Sequence, residues 1–156
     1  MKQLCRLFLA TSMVVTLVIG TAFAQQHGSA NEAKQMVQEA LAYMAKVGPE
    51  KAFVEFSAPT GRWHKKDIYL FCYKSDGTCV CQGDNQVLLG KNLIDFRYAD
   101  GQTHIKDMVD IANSKGSGWI EYPWPHPQTK KLEMKRAWVA KIPHYDGFIA
   151  AGVYKQ

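Results

Sequence analysis

Three β-forming runs near the carboxyl end of the chain limit its fold more than any other feature. They cover residues 119–124, 132–141 and 148–154, and each is rich in the aliphatic, aromatic and β-branched side chains that favour strands. Asp146-Gly147 marks a tight turn before the last run. Because loops this short join strands that lie side by side in opposite directions, the sequence predicts a meander of three antiparallel neighbours.

A β-hairpin is predicted further upstream. Residues 68–73 and 78–81 form two strand-like runs around Asp76-Gly77, a dipeptide typical of two-residue hairpin turns. Residues 83–90 are interpreted as a connection, and residues 93–98 as another extended stretch. Together with the meander, these runs predict a mostly antiparallel sheet of about five strands.

Helices are predicted on both sides of the hairpin in sequence. Ser29 and Glu32 have the spacing of a capping box, and apolar residues then recur at the spacing of an amphipathic helix. Gly48-Pro49 ends this helix, and the proline suits the first position of a second, shorter one. A third helix is predicted over residues 104–115. The fold class is therefore α+β, with helices segregated from the sheet.

The first 24 residues have the pattern of an export signal. Lys2 and Arg6 precede an apolar run over residues 7–19, and Ala22-Phe23-Ala24 fits a cleavage site. Cleavage there would leave residues 25–156 as one domain of 132 residues. We expect a secreted product in the periplasm of a bacterium, with no membrane span after cleavage. An uncleaved anchor is the alternative, but the apolar run is short for a span of about 20 residues.

The charge balance argues against a nucleic-acid partner. The formal net charge is +5, and it falls to +3 without Lys2 and Arg6. The remaining basic pairs, Lys65-Lys66, Lys130-Lys131 and Lys135-Arg136, are scattered and form no long tract.

Three cysteines remain after cleavage, Cys72, Cys79 and Cys81. A two-residue turn at Asp76-Gly77 places Cys72 opposite Cys81, and we predict a disulfide between them, as an oxidising compartment permits. A bulge at Gly77 would shift the register and favour a bond between Cys72 and Cys79. In either case one thiol is left over, and we interpret it as a small buried side chain.

The segment Gly118 to Pro127, followed by Lys135, predicts a binding site. It brings a tyrosine, two tryptophans and a rigid proline-rich turn beside a strand with one lysine followed by apolar residues on its own face. Because an unpaired buried charge is costly, Lys135 needs an anionic partner. Glu121 or Glu133 would make the lysine purely structural, whereas a ligand carboxylate would make it a binding group. The aromatic residues alone are more typical of a plain core than of a ligand wall.

Several segments, taken in order, resemble a known family. They are Ala33 to Tyr43, Gly48 to Phe53, Asp67 to Phe71, Leu89 to Asn92, Asp100-Gly101, Gly116 to Pro125, Lys135, Trp138-Val139 and Ala151 to Tyr154. This ordered set resembles a single Cache domain, the extracytoplasmic sensor module of chemoreceptors and histidine kinases. The resemblance implies a PAS-like fold, in which a long N-terminal helix packs on a roughly five-stranded antiparallel sheet, and a pocket for a small ligand such as a short carboxylate.

The resemblance also implies roles for individual residues. Lys135 would be the counter-charge of the anion, Tyr122 a hydroxyl donor, and Trp119 or Trp124 the apolar wall. Arg97 and His104 are further candidates from the connecting segment. Cache modules are generally followed by a membrane helix and a signalling domain, which this sequence lacks, so we expect a free-standing module that works with a membrane receptor or histidine kinase.

We expect no metal, no cofactor and no catalysis. The five histidines are scattered in sequence and form no i, i+4 pair. There is no Cys-x-x-Cys-His motif, no Gly-x-Ser-x-Gly elbow and no glycine-rich phosphate loop. Two alternatives to a sensor remain. One is a small exported hydrolase that uses Asp or Glu with His, and the other is a protein-interaction subunit with a vestigial pocket.

Overall fold

The computed structural model describes residues 27–155, so the predicted export signal lies outside the described part. The elements are α1 (Ala30–Val47), α2 (Pro49–Phe56), β1 (His64–Lys65), β2 (Ile68–Lys74), β3 (Cys79–Gln82), α3 (His104–Lys115), β4 (Ser117–Pro125), β5 (Leu132–Lys141) and β6 (Gly147–Tyr154). A 3₁₀ turn covers Gln86–Leu88.

The predicted capping box starts α1. The Ser29 hydroxyl accepts a hydrogen bond from the Glu32 backbone N–H at 3.2 Å, and the Glu32 carboxylate accepts one from the Ser29 N–H at 2.7 Å. These two bonds satisfy donors that an uncapped helix start would leave open. Pro49 opens α2 as predicted, because its missing N–H costs nothing at a helix start.

Over residues 27–155 the sheet is antiparallel and has six strands, in the order β1-β2-β6-β5-β4 with β3 paired to β2. The predicted meander is confirmed, since β4 pairs with β5 and β5 with β6. The predicted count of about five strands is close, and the two-residue β1 is the strand that the sequence pattern did not reveal. The PAS-like arrangement is also confirmed, with the long first helix packed on the sheet.

Helices cover the two faces of the sheet unequally. On one face, α1 and α2 pack with Ile68, Leu70, Cys72 and Ile149 in one apolar core. On the other face, α3 packs with Tyr69, Phe71, Tyr73 and Phe148 in a second core. Alternate residues of β2 therefore serve different cores, as the two-residue period of a strand requires.

The β2–β3 hairpin differs from the prediction at its turn. The Lys74 N–H donates to the Thr78 carbonyl at 2.9 Å, so the loop has three residues rather than two. A bulge then follows, because Tyr73 faces Cys79 whereas Cys72 faces Cys81. The two irregularities cancel, and Cys72 and Cys81 are bonded as predicted, with their Cα atoms 4.7 Å apart. Cys79 is free and buried.

Residues 93–98 were predicted to be extended, and this prediction is wrong. No strand is formed there, and the only ladder contact nearby is an isolated bridge between Thr78 and Asn92. Local turns use the backbone groups instead: Leu93 O accepts from Phe96 N–H, and Tyr98 N–H donates to Gln102 O. We call residues 83–103 the connecting segment. Within residues 27–155, no helix is both long and apolar enough to cross a membrane.

Candidate functional site: a buried lysine among aromatic rings

The β4–β5 pairing brings the two main predicted site residues together. Tyr122 and Lys135 are directly opposed across the two strands, and both side chains face the α3 side of the sheet. Lys135 is completely buried and Tyr122 is 3% exposed. The alternation of β4 and β5 is sufficient to explain this placement, since inward and outward positions follow a period of two.

Aromatic rings surround the Lys135 ammonium. Its Nζ lies 3.7 Å from the centroid of the Tyr69 ring, 5.0 Å from that of Phe71 and 5.3 Å from that of Tyr154. Ring faces attract a cation, by about 0.5 to 2 kcal/mol each. Among the buried side-chain nitrogen and oxygen atoms of residues 27–155, Nζ of Lys135 alone has no hydrogen-bond partner.

Neither glutamate that could neutralise Lys135 does so. Glu121 accepts a hydrogen bond from Lys155 at 2.7 Å and lies 3.9 Å from Arg136. Glu133 accepts one from the Thr129 hydroxyl at 2.9 Å. The purely structural explanation of Lys135 as half of an ion pair is therefore excluded for these two residues.

Burial lowers the pKa of Lys135 from 10.5 to about 7. Removal of the ammonium from water disfavours its charged form, and the more distant charges of Asp84 and Asp67 oppose this effect only in part. Burial also raises the pKa of the Tyr69 and Tyr122 hydroxyls well above the usual value. Both tyrosines are therefore neutral near pH 7.

The space beside Lys135 is small. A void of about 10 Å³ is lined by Lys135 together with Tyr69, Phe71, Tyr73, Gln82, Tyr98, Ile105, Tyr122 and Trp124. That volume corresponds to about one water molecule. An organic anion therefore requires that some of these side chains move, and we call this void the inner chamber.

The other predicted residues are not all near the lysine. Trp124 lines the inner chamber. His104 is buried beside it, with its ring 5.5 Å from that of Tyr122 and its Nε2 2.6 Å from an Asp100 carboxylate oxygen.

Two of the predicted residues lie elsewhere. Trp119 packs against Trp138 with ring centroids 5.1 Å apart, on the α1 side of the sheet. The exposed Arg97 donates to the Gly101 carbonyl; it does not line the inner chamber but lines a separate hollow that also borders Tyr98 and Trp124.

Sequence reasoning missed most of the aromatic wall. Tyr69, Phe71 and Tyr73 alternate along β2 and all face Lys135's side of the sheet, a pattern that was visible in the sequence. Tyr98 lies in the irregular connecting segment, where no period reveals its direction. Its ring centroid is 5.9 Å from that of Tyr122 and 5.7 Å from that of Trp124.

A second polar cluster, also missed, ties the start of the described chain to the sheet. Asp67 is completely buried, and its carboxylate accepts a hydrogen bond from the Gly28 N–H at 2.6 Å. The Gly28 bond is to Oδ1, whereas His27 Nδ1 and His126 Nε2 lie 3.2 Å and 3.8 Å from the other carboxylate oxygen, Oδ2. The histidines that are scattered in sequence therefore meet here in space.

These three side chains have the residue types of a metal site, because their candidate ligand atoms all lie within 4.8 Å of one another. The hydrogen bonds of His126 argue against that role. Its Nδ1 accepts from the backbone N–H groups of Gln128 and Thr129 at 3.2 and 3.4 Å. A neutral imidazole that accepts at Nδ1 carries its proton on Nε2, so Nε2 faces Asp67 as a donor and offers no lone pair to a metal.

Comparison with known proteins places this arrangement in context. Residues 18–156 match a family model described as a Cache domain. A methyl-accepting chemotaxis protein from Vibrio parahaemolyticus RIMD 2210633 has 20% sequence identity and a TM-score of 0.68, over 80% of this chain and 86% of that chain.

Two further solved structures are similar. The periplasmic sensor domain of a chemotaxis protein has 21% identity and a TM-score of 0.64, over 81% of this chain and 90% of that one. A Cache chemosensory domain, described in terms of its carboxylic acid recognition, has 20% identity and a TM-score of 0.64, over 81% and 88%. At these identities the similarity shows a shared fold.

Proposed function

The chain belongs to the Cache domain family, and from that premise we propose that it is an exported, non-catalytic sensor module that binds a small organic acid. The ligand would be a short carboxylate, held by the Lys135 ammonium. Tyr122 would contribute a hydroxyl donor and Trp124 an apolar wall. The proposal assigns no role to Trp119, and it leaves Arg97 and His104 outside the direct contacts.

The buried, unpartnered Nζ of Lys135 is the observation that carries this proposal. A lysine in such a place costs stability unless it meets an anion, and the glutamates nearest in sequence are engaged elsewhere. A carboxylate would supply charge and hydrogen-bond acceptors together, and charge-assisted hydrogen bonds are the strong ones. The carboxylic acid recognition described for a similar Cache domain agrees with this choice.

Export and signalling complete the proposal. The positive start, apolar run and Ala-x-Ala site over residues 1–24 support secretion to a periplasm. A ligand-dependent contact with a membrane receptor or histidine kinase would then carry the signal.

A thermal-shift screen of small carboxylates tests the binding step. We expect an acid that binds to raise the melting temperature, and its uncharged amide analogue to have no effect, because the amide has no charge for Lys135. Lys135→Met should abolish the rise while preserving the fold, since methionine has a similar shape without the ammonium. Lys141→Met is the matched control, because Lys141 lies on the same strand and is exposed. A full rise in the Lys135→Met variant would exclude Lys135 from the site.

The small inner chamber favours a second candidate, a protein-interaction subunit in which the pocket is vestigial. Here the aromatic rings fill the space permanently, and Lys135 is stabilised by ring contacts alone. This candidate predicts no acid-dependent rise for any carboxylate, together with co-purification of a membrane receptor. No comparable observation favours the hydrolase, because the carboxylate of the Asp67 cluster and the adjacent His126 are completely buried.

A further inference from the structure

A second hollow adjoins the inner chamber. It has a volume of about 310 Å³ and runs between the connecting segment and the ends of β4 and β5. We call it the outer groove. Tyr98 and Trp124 line both hollows, and their ring centroids are 5.7 Å apart. Only one layer of aromatic side chains therefore separates the Lys135 chamber from the groove.

The outer groove is mainly apolar, and its polar lining residues are Asn85 and the exposed Arg97, whose guanidinium donates to the Gly101 carbonyl. Leu88 and Leu93 lie on its connecting-segment side, and Pro123, Pro125 and Leu132 on its strand side. Phe96 also lines it and is 50% exposed, while Leu132 is 56% exposed. Single exposed apolar side chains are common on protein surfaces, but several that are exposed together around a concave surface mark a binding site.

The two hollows differ in chemistry in a way that defines one kind of occupant. The inner chamber has a fully buried ammonium and a volume of about 10 Å³, which leaves no room for the carbon skeleton of an acid. The outer groove has the volume and an apolar lining. A ligand that fits both hollows has a negative head and an apolar tail. The head lies in the inner chamber and the tail lies in the outer groove, on the other side of the Tyr98 and Trp124 rings.

We propose that the ligand is a medium-length monocarboxylate whose apolar tail lies in the outer groove. This inference rests on the proposed function, because it uses the Lys135 site for the carboxylate. Tyr98 is the side chain that gives way. It lies in the irregular connecting segment, where its backbone is held by a local turn with Gly101 and Gln102, whereas Trp124 is fixed on a paired strand.

A chain-length series tests the inference. Acetate, butanoate, hexanoate and octanoate are titrated calorimetrically into the protein. Each added methylene that leaves water should tighten binding by about fourfold, the equivalent of about 0.8 kcal/mol, until the groove is filled. Phe96→Ala and Leu132→Ala should reduce the ratio of octanoate to acetate affinity. Val54→Ala is the matched control, because Val54 is 76% exposed on α2 and does not line the groove.

The outcomes separate the two proposals. If all four acids bind equally and binding depends on Lys135, the tail inference is wrong and the proposed function stands. If affinity rises with chain length but Phe96→Ala and Leu132→Ala leave the rise intact, the tail lies elsewhere and the inference is again wrong. If octanoate binds equally well to Lys135→Met, both proposals are overturned.

Discussion

At the scale of single residues, Lys135 is an ammonium kept from water by its neighbours. The Tyr69 ring lies 3.7 Å from Nζ, and ring contacts of this kind offset only part of the cost of burying a charge. The part of the cost that is not offset lowers the pKa of Lys135 from 10.5 to about 7. Near pH 7 the site is thus balanced between a neutral amine and a cation that requires an anion.

This balance predicts a pH-dependent stability for the ligand-free protein. Lys135 has a folded pKa of about 7 against 10.5 when exposed, so between these values the unfolded chain binds one more proton. The contribution of Lys135 to stability should therefore rise by about 1.4 kcal/mol per pH unit between pH 7 and 10.5. It is lost as the pH falls through this range and changes no further below pH 7, where Lys135 is protonated in both states. Urea unfolding between pH 7 and 9 measures the slope. Lys135→Met should remove it, and an equal slope in that variant would show that another group is responsible.

Cys79 illustrates the opposite case, a buried group with no special chemistry. Burial raises the pKa of its thiol to about 11, so the reactive thiolate is scarce near neutral pH. This agrees with the interpretation of the leftover cysteine as a small apolar side chain. Its Sγ lies 3.5 Å from the Cys81 carbonyl oxygen.

At the scale of elements, the β2–β3 hairpin depends on one glycine and one disulfide. Gly77 has a φ of +88°, and a Cβ atom there would lie 2.5 Å from Cβ of Ile94, so both the conformation and the space require glycine. The Cys72–Cys81 bond then closes a short loop beside the bulge. The hairpin carries Tyr69, Phe71 and Tyr73, and therefore fixes half of the aromatic wall.

Reduction of the disulfide should lower the free energy of unfolding by about 2 to 3 kcal/mol, because a short closed loop restricts the unfolded chain. Denaturant unfolding with and without a reducing agent measures the difference. Cys79→Ala should retain this sensitivity, and Cys72→Ala/Cys81→Ala should lose it. Indifference of the wild-type protein to the reducing agent would contradict the bond.

Regular elements made the fold and half of the site predictable. The alternation of β4 and β5 was enough to place Tyr122 and Lys135 on a common core face, and Ser29 and Glu32 were enough to start α1. The rest depended on contacts between distant residues. Tyr98 lies in a segment without a period, and Asp67 meets His126 across 59 positions, so neither placement leaves a local signal. The two errors in the hairpin, a longer turn and a bulge, cancelled at the cysteines.

At the scale of the whole molecule, the sheet separates two cores with different tasks. The α1 and α2 face is an aliphatic and aromatic core that contains Trp63, Phe56 and the disulfide. The α3 face contains the tyrosines and borders the inner chamber. A ligand that moves Tyr98 would therefore act first on the connecting segment, and reach α1 only through the strands that both cores share.

Proton uptake during ligand binding shows whether a carboxylate binds the Lys135 ammonium. At pH 8 most of the ligand-free protein has a neutral Lys135, since its pKa is about 7, and a bound carboxylate would stabilise the protonated form. Calorimetric titration of a binding acid in two buffers with different ionisation enthalpies counts the protons. We expect uptake of nearly one proton per ligand in the wild type and no binding heat in Lys135→Met. Tight binding of the acid with no proton uptake at pH 8 would contradict carboxylate binding to Lys135.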